Sequence, residues 1–168
     1  MERKTIYKWF WMWNYEKEEA WLNEMAQSGW LLDKVGFCRY EFVACEPASY
    51  AVRLQMLEKD DSYIRFMEEM GAKYIGRVSQ WVYFSKSLEE GPFDLFSDND
   101  SRIAHLEKIS KLFWGIGLAN LCIGVANSLN PVLHIGWINL LLACGIMYGL
   151  GRMHGKIDLL KKNRELTE

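Results

Sequence analysis

Between residues 112 and 150 the chain is almost wholly apolar, and it is broken once, at Asn130-Pro131. Neither 112–129 nor 132–150 contains Asp, Glu, Lys or Arg. Each run approaches the roughly 20 residues that an α-helix needs to cross about 30 Å of hydrocarbon. Pro131 lacks an amide hydrogen and biases Asn130 away from helical geometry, so the sequence predicts two membrane spans joined by a tight turn. The residues ahead of the spans then form a tethered domain, and those behind them a short basic tail.

The flanking charges set an expected orientation. Arg102, Lys108 and Lys111 precede the first run, and Arg152, Lys156, Lys161, Lys162 and Arg164 come after the second. The turn between them carries only His134. This bias predicts a multi-pass cell-membrane protein with both termini cytoplasmic and membrane lipid as its first partner. Trp114 and Trp137 fall near the span ends, where amphipathic rings favour the interface. A buried hairpin in a soluble protein is the competing reading, but such helices show a polar stripe and this tract offers only Asn120, Asn127 and Asn139. Gly115, Ala119, Asn120, Gly145 and Gly149 are expected to pack the helices together, because small residues admit close approach and an amide can bond across the contact.

Charge and cysteine usage bound the chemistry. With 20 Lys and Arg against 22 Asp and Glu the formal net charge is -2, which argues against nucleic acid as the partner. Cys38, Cys45, Cys122 and Cys144 form no C-x-x-C pair and no zinc spacing, so free thiols in a reducing compartment are expected. Residues 1–4 are basic, but the apolar stretch behind them is short, crowded with tryptophan and runs into Glu16-Lys17-Glu18-Glu19, unlike a signal peptide. No glycine-rich phosphate loop, nucleophile motif or metal-ligand spacing occurs, and His105 and His154 lack a positioned partner. The sequence therefore predicts a non-enzyme with no cofactor and no metal.

Residues 1–88 are expected to form the cytoplasmic α+β domain. Residues 5–13 read as a strand dense in aromatics. Asn14 offers a helix cap, Glu16, Glu18 and Glu19 suit the first turn, and Trp21, Leu22, Met25 and Ala26 recur at helical spacing as far as Gly29. Residues 31–44 read as a strand, Glu46-Pro47-Ala48-Ser49 as a turn, and Tyr50, Val52, Leu54 and Met56 as one face of the next strand. A second helix opens at Asp60 and Asp61 and ends at Gly71, and a last strand covers 73–85. The order β-α-β-β-α-β is that of a ferredoxin-like domain, with both helices on one face of a four-stranded sheet. Residues 89–100 form an acidic linker, and 101–168 hold the helical hairpin with spans at about 112–129 and 132–150.

In that fold the other sheet face stands open. Trp9, Trp11 and Trp13, with Trp81 and Tyr83 of the last strand, are its candidate binding surface. Lys8 argues that the tryptophans of the first strand lie instead under the helices, since lysines avoid cores. The two orientations remain open on sequence grounds.

The run from Lys8 to Glu18, KWFWMWNYEKE, then Trp21-Leu22-Asn23-Glu24-Met25-Ala26 and Gly29-Trp30-Leu31, resembles the opening of a bacterial family called domain of unknown function 2812. Tyr40-Glu41-Phe42, Glu46-Pro47 and the pair Tyr50 and Arg53 fit the same pattern. The resemblance implies a membrane protein, mainly of Gram-positive bacteria, encoded beside PadR-like transcriptional regulators. It implies no activity, cofactor or catalytic residue.

Two functions are expected. The first is a membrane-anchored, non-catalytic cytoplasmic domain that binds a protein partner or itself as a homodimer and takes part in signalling. The alternative is a sensor or carrier of a hydrophobic small molecule, enclosed by an aromatic-rich surface or pocket.

Overall fold

A computed structural model describes residues 2–58, 61–96, 98–130 and 135–165, with side chains as far as Asn163. Met1, Asp60, Pro131 and His134, on which some of these expectations rest, lie outside the described residues, as does the Arg164 side chain. The chain divides into two compact units, Met1–Leu95 and Phe96–Glu168.

The N-terminal unit is built twice on one plan. Strand β1 (Arg3–Tyr7) leads through a 3-10 turn at Met12–Asn14 into helix α1 (Tyr15–Gln27), followed by the hairpin β2 (Trp30–Gly36) and β3 (Arg39–Ala44). The second pass runs β4 (Tyr50–Met56), α2 (Asp61–Glu69), β5 (Lys73–Val78) and β6 (Trp81–Ser87). Each pass makes a three-stranded sheet with its last strand in the middle, β1-β3-β2 and β4-β6-β5. All four pairings are antiparallel.

The same local chemistry recurs in both passes. Gly29 and Gly71 take φ of +85° and +84° directly after the helices, a left-handed exit that residues with a Cβ rarely adopt. At Gly29 the N–H bonds back to the Ala26 carbonyl at 3.1 Å, and at Gly71 to that of Glu68 at 3.0 Å. β2 and β5 then lie alongside each other, where Gly76 faces Val35 and Lys73 Nζ stands 3.8 Å from Asp33.

Helix α1 buries Tyr15, Glu18, Leu22 and Ala26, residues spaced by one helical turn. It also closes the free edge of β4. The Asn23 amide donates to the Val52 carbonyl at 2.9 Å and accepts from the Val52 N–H at 2.9 Å, while Glu19 Oε2 accepts from the Leu54 N–H at 3.1 Å. A sheet edge satisfied in this way cannot recruit another strand. On the far face of β6, Val82 and Phe84 pack with Ala51, Met67, Ala72 and Phe93.

This is not the expected ferredoxin-like βαββαβ domain. Residues 31–44 and 73–85 are each two strands and not one, folded back at Phe37-Cys38 and Ser79-Gln80. Cys38 and Ser79 hold φ of +54° and +56° there, positions where glycine or asparagine would have announced a turn. With eight elements in place of six, β3 pairs with β1 and β2, and β4 with β6, so the expected hairpin between residues 31–44 and 50–56 does not form. The first strand stops at Tyr7, before the tryptophan run. No sheet face is left open along β6, where Trp81, Val82, Tyr83, Phe84 and Ser85 are all buried. Phe93, placed in the linker by sequence, is buried in the N-terminal core.

The C-terminal unit consists of α3 (Asn99–Leu129) and α4 (Gly136–Glu165). The Asp98 carboxylate caps α3 by accepting from the Ser101 N–H at 2.7 Å. The two helices run antiparallel, Gly117 opposite Ile146 and Gly124 opposite Leu140. His105 is buried beside Phe96 at a ring separation of 5.1 Å.

The expected pair of transmembrane helices is also corrected. Among the described residues α3 alone is long and apolar enough to cross a membrane, with an 18-residue stretch of mean hydropathy 1.5. From Gly136 onward, α4 carries Trp137, Asn139, Tyr148 and several glycines, and it reaches Arg152 before a comparable stretch is complete. One helix therefore gives weak support for membrane association.

Close approach in this pair is seen at Gly117, Gly124 and Gly136, which the sequence did not single out. A Cβ on Gly124 would stand 2.8 Å from Leu140 Cδ2, one on Gly117 3.1 Å from Ile146 Cγ2, and one on Gly136 would collide with Ser128 and the Gly124 carbonyl. Gly115 and Gly145 have open space instead. Ala119 is exposed, Gly149 is buried, and the Asn120 amide donates at 2.9 Å to the Ile116 carbonyl of its own helix. Gly124→Val is expected to cost about 1–3 kcal/mol through overpacking, and Gly115→Val less than about 0.5 kcal/mol. Thermal unfolding of the full chain in detergent, followed by circular dichroism, checks the contrast; equal losses would overturn it.

Candidate ligand cavity

A cavity of about 360 Å³ opens in the N-terminal unit. Its wall is assembled from four pieces of chain: the segment after β1, the first turns of α1, and the tips of both hairpins. The duplicated plan explains the convergence, since the Phe37-Cys38 turn and Val78-Ser79 occupy equivalent places in the two passes.

At the base of the cavity lies Glu18. It occupies the buried stripe of α1 between Tyr15 and Leu22, where an apolar side chain would be usual. The Tyr40 hydroxyl donates to its Oε1 at 2.8 Å and the Tyr83 hydroxyl to the same oxygen at 2.7 Å. These bonds tie α1 to the middle strand of each sheet, β3 and β6. Both donors favour the ionised carboxylate. Burial acts in the opposite sense and is the larger influence, so the Glu18 carboxyl sits above its ordinary pKa. The two phenols are pushed up by burial and by the Glu18 charge, and stay protonated.

Aromatic rings line the cavity with this carboxylate and pack against Tyr40. Tyr15 and Trp81 lie 5.1 Å apart between centroids, and Trp21 sits edge-on to Tyr40 at 5.0 Å. Phe10 touches both Trp21 at 5.5 Å and Tyr40 at 6.3 Å. At the mouth, Trp9 makes edge contacts with Trp11 at 5.5 Å and with Phe37 at 5.8 Å, and Trp11 stacks on Trp13 at 4.9 Å. Lys8 places its ammonium 4.3 Å from the Trp21 centroid and 5.0 Å from that of Phe10.

The residues singled out by sequence therefore divide by depth. Trp81 and Tyr83 are buried in the wall, whereas Trp9 and Trp11 are 56% and 52% exposed at the rim. Trp13 is half-buried and supports Trp11 from outside the lining. They do not form a flat platform on a sheet. Lys8 rests against aromatic faces and so does not turn the tryptophans inward. Glu18 was read with Glu16 and Glu19 only as an acid suited to the first turn; its placement three residues after Tyr15 and four before Leu22 is the signal that marks it as inward-facing. Tyr40 carried no signal beyond strand alternation.

Among the described residues no group of three or more His, Cys, Asp or Glu side chains could hold a metal ion. A family model described as "Protein of unknown function (DUF2812)" matches residues 14–118, more than half of the chain. The match runs from the residue before α1 into α3 and takes in Glu18, Tyr40, Trp81 and Tyr83. No curated protein and no solved structure matches the chain.

Proposed function

The chain belongs to the DUF2812 family, and from that premise we propose that it is a membrane-associated sensor or carrier that holds a small hydrophobic molecule in its aromatic cavity. The cavity itself carries this reading. At about 360 Å³ it falls within the roughly 300–1,000 Å³ usual for ligand pockets, and an apolar lining with few polar groups is the usual composition. Glu18, Tyr40 and Tyr83 supply those polar groups. Membrane association is supported by α3, and Arg102, Lys108 and Lys111 at its start favour a cytoplasmic N-terminal unit.

A protein partner, or a second copy of the chain, is the second reading. It is favoured by the exposed cluster of Trp9, Trp11 and Phe37 in the cavity lining, since exposed aromatic patches mark contact surfaces. Signalling beside a transcriptional regulator fits either reading.

Intrinsic tryptophan emission separates them. The full chain in lipid nanodiscs is titrated with a panel of aromatic amines, aromatic acids and sterols. At least one class should shift the emission saturably, because Trp9, Trp11 and Trp81 line the cavity. Emission unchanged across the panel at saturating concentration would remove the small-molecule reading.

A further inference from the structure

We propose that the cavity takes an organic cation, a quaternary or protonated amine carried on an aromatic or alkyl body, with Glu18 as its counter-charge. The inference rests on the small-molecule reading of the cavity and assigns its ligand a charge.

The first ground is the state of Glu18. Its side chain is 8% exposed, and among the described residues no ion pair includes it. Both of its hydrogen bonds end on Oε1, so Oε2 accepts from none of the described residues. Buried carboxylates are ordinarily paired with a cation or bound to a metal, because desolvating an unpaired charge is costly. A metal ion would find too few ligands here, since among the described residues no three His, Cys, Asp or Glu side chains come together. An organic cation requires only the one charge.

The second ground is what surrounds the carboxylate. Ring faces attract cations through their quadrupole, most strongly indole, and Phe10, Tyr15 and Trp81 line the cavity together with Glu18. One ring of the lining, Phe10, already serves a cation of the chain's own. Lys8 sets its ammonium over Trp21 and Phe10 at the cavity mouth without forming an ion pair to Glu18.

The three charge classes of ligand fare differently here. An anion entering the cavity would meet the Glu18 carboxylate. A neutral molecule would gain the apolar walls yet leave the carboxylate without a counter-charge, its only partners the two tyrosine hydroxyls among the described residues. A cation gains walls, ring faces and counter-charge together.

Benzyltrimethylammonium and its uncharged carbon isostere neopentylbenzene have the same shape, which isolates charge as the variable. Their binding to the full chain in nanodiscs is measured by equilibrium dialysis, with empty nanodiscs subtracted. The cation should bind about tenfold more tightly or better, and Glu18→Gln should bring the two together. Lys8→Gln, which removes a competing positive charge at the mouth and leaves the core untouched, should strengthen binding of the cation and not of the isostere. Equal affinities for the two probes in the wild-type chain would overturn the cation inference while keeping the cavity as a neutral-ligand site. Binding of neither probe would overturn the inference, and binding of none of the wider emission panel would overturn the reading beneath it.

Discussion

Phe84→Ala is expected to lower the unfolding free energy by about 3–5 kcal/mol, the usual loss for a buried phenylalanine whose cavity cannot collapse. Phe84 is fully buried at the middle of β6, which pairs on one side with β4 and on the other with β5. Its ring lies 6.4 Å from Tyr63 of α2 and 5.9 Å from Tyr74 of β5, so truncation strips contacts from two neighbouring elements at once. Tyr63 is held by the 2.8 Å bond from its hydroxyl to Gln55 Oε1, and Tyr74 by its place opposite Phe84 in the β5–β6 ladder, so neither is free to move in and fill the space. Against a typical domain stability of about 5–15 kcal/mol, such a loss should leave the variant largely unfolded at modest denaturant concentrations. Phe37→Ala is the control, since Phe37 is 77% exposed at a hairpin tip and should cost less than about 0.5 kcal/mol. Urea unfolding of the full chain in nanodiscs compares the two. A loss at Phe84 no larger than that at Phe37 would mean that β6 does not organise the core.

The same two residues mark what is legible in the amino-acid order. Val82 and Phe84 share a face by strand alternation, and α1 can be read from the spacing of Leu22 and Ala26 and from Gly29 almost to the residue, although Asn14 makes no side-chain cap bond. These are local signals that tertiary packing reinforces. The hairpin tips are different. Phe37-Cys38 and Ser79-Gln80 reverse the chain without glycine, asparagine or proline at the turning positions, and Cys38 and Ser79 adopt a left-handed backbone that their side chains do not advertise. Missing both reversals merges four strands into two and converts a duplicated plan into a single ferredoxin-like one. The cavity disappears with them, because its mouth is formed where those tips meet. Its aromatic members were visible as residue types, while the carboxylate at its base was hidden in a run of acids that resembles any solvated helix start. Only the burial of one member of that run distinguishes them, and burial depends on β3 and β6 arriving from distant parts of the chain.

The stability of the protein should fall with rising pH through a window set by Glu18. Burial raises its folded-state pKa above the ordinary value of 4.5, so within the interval between those two values the folded chain holds a proton that the unfolded chain has released. Unfolding free energy then decreases as pH rises across that interval, with this group's contribution complete below 4.5 and lost above the folded-state pKa. Glu18→Gln has no proton to lose, and its stability relative to the wild type should climb through the window and level off beyond it. Tyr83→Phe acts in the opposite sense. It removes the 2.7 Å donor that favours the ionised carboxylate, which widens the window upward. Its cost should be about 0.5–1.5 kcal/mol where Glu18 is protonated and about 1.5–3 kcal/mol where it is charged. Combined with Glu18→Gln, the Tyr83→Phe cost should become independent of pH. Denaturant unfolding from about pH 4 to pH 8 at constant ionic strength measures all four chains. If the wild type and Glu18→Gln give parallel curves, Glu18 is not the buried acid that links the two sheets, and the charge assigned to the cavity loses its source.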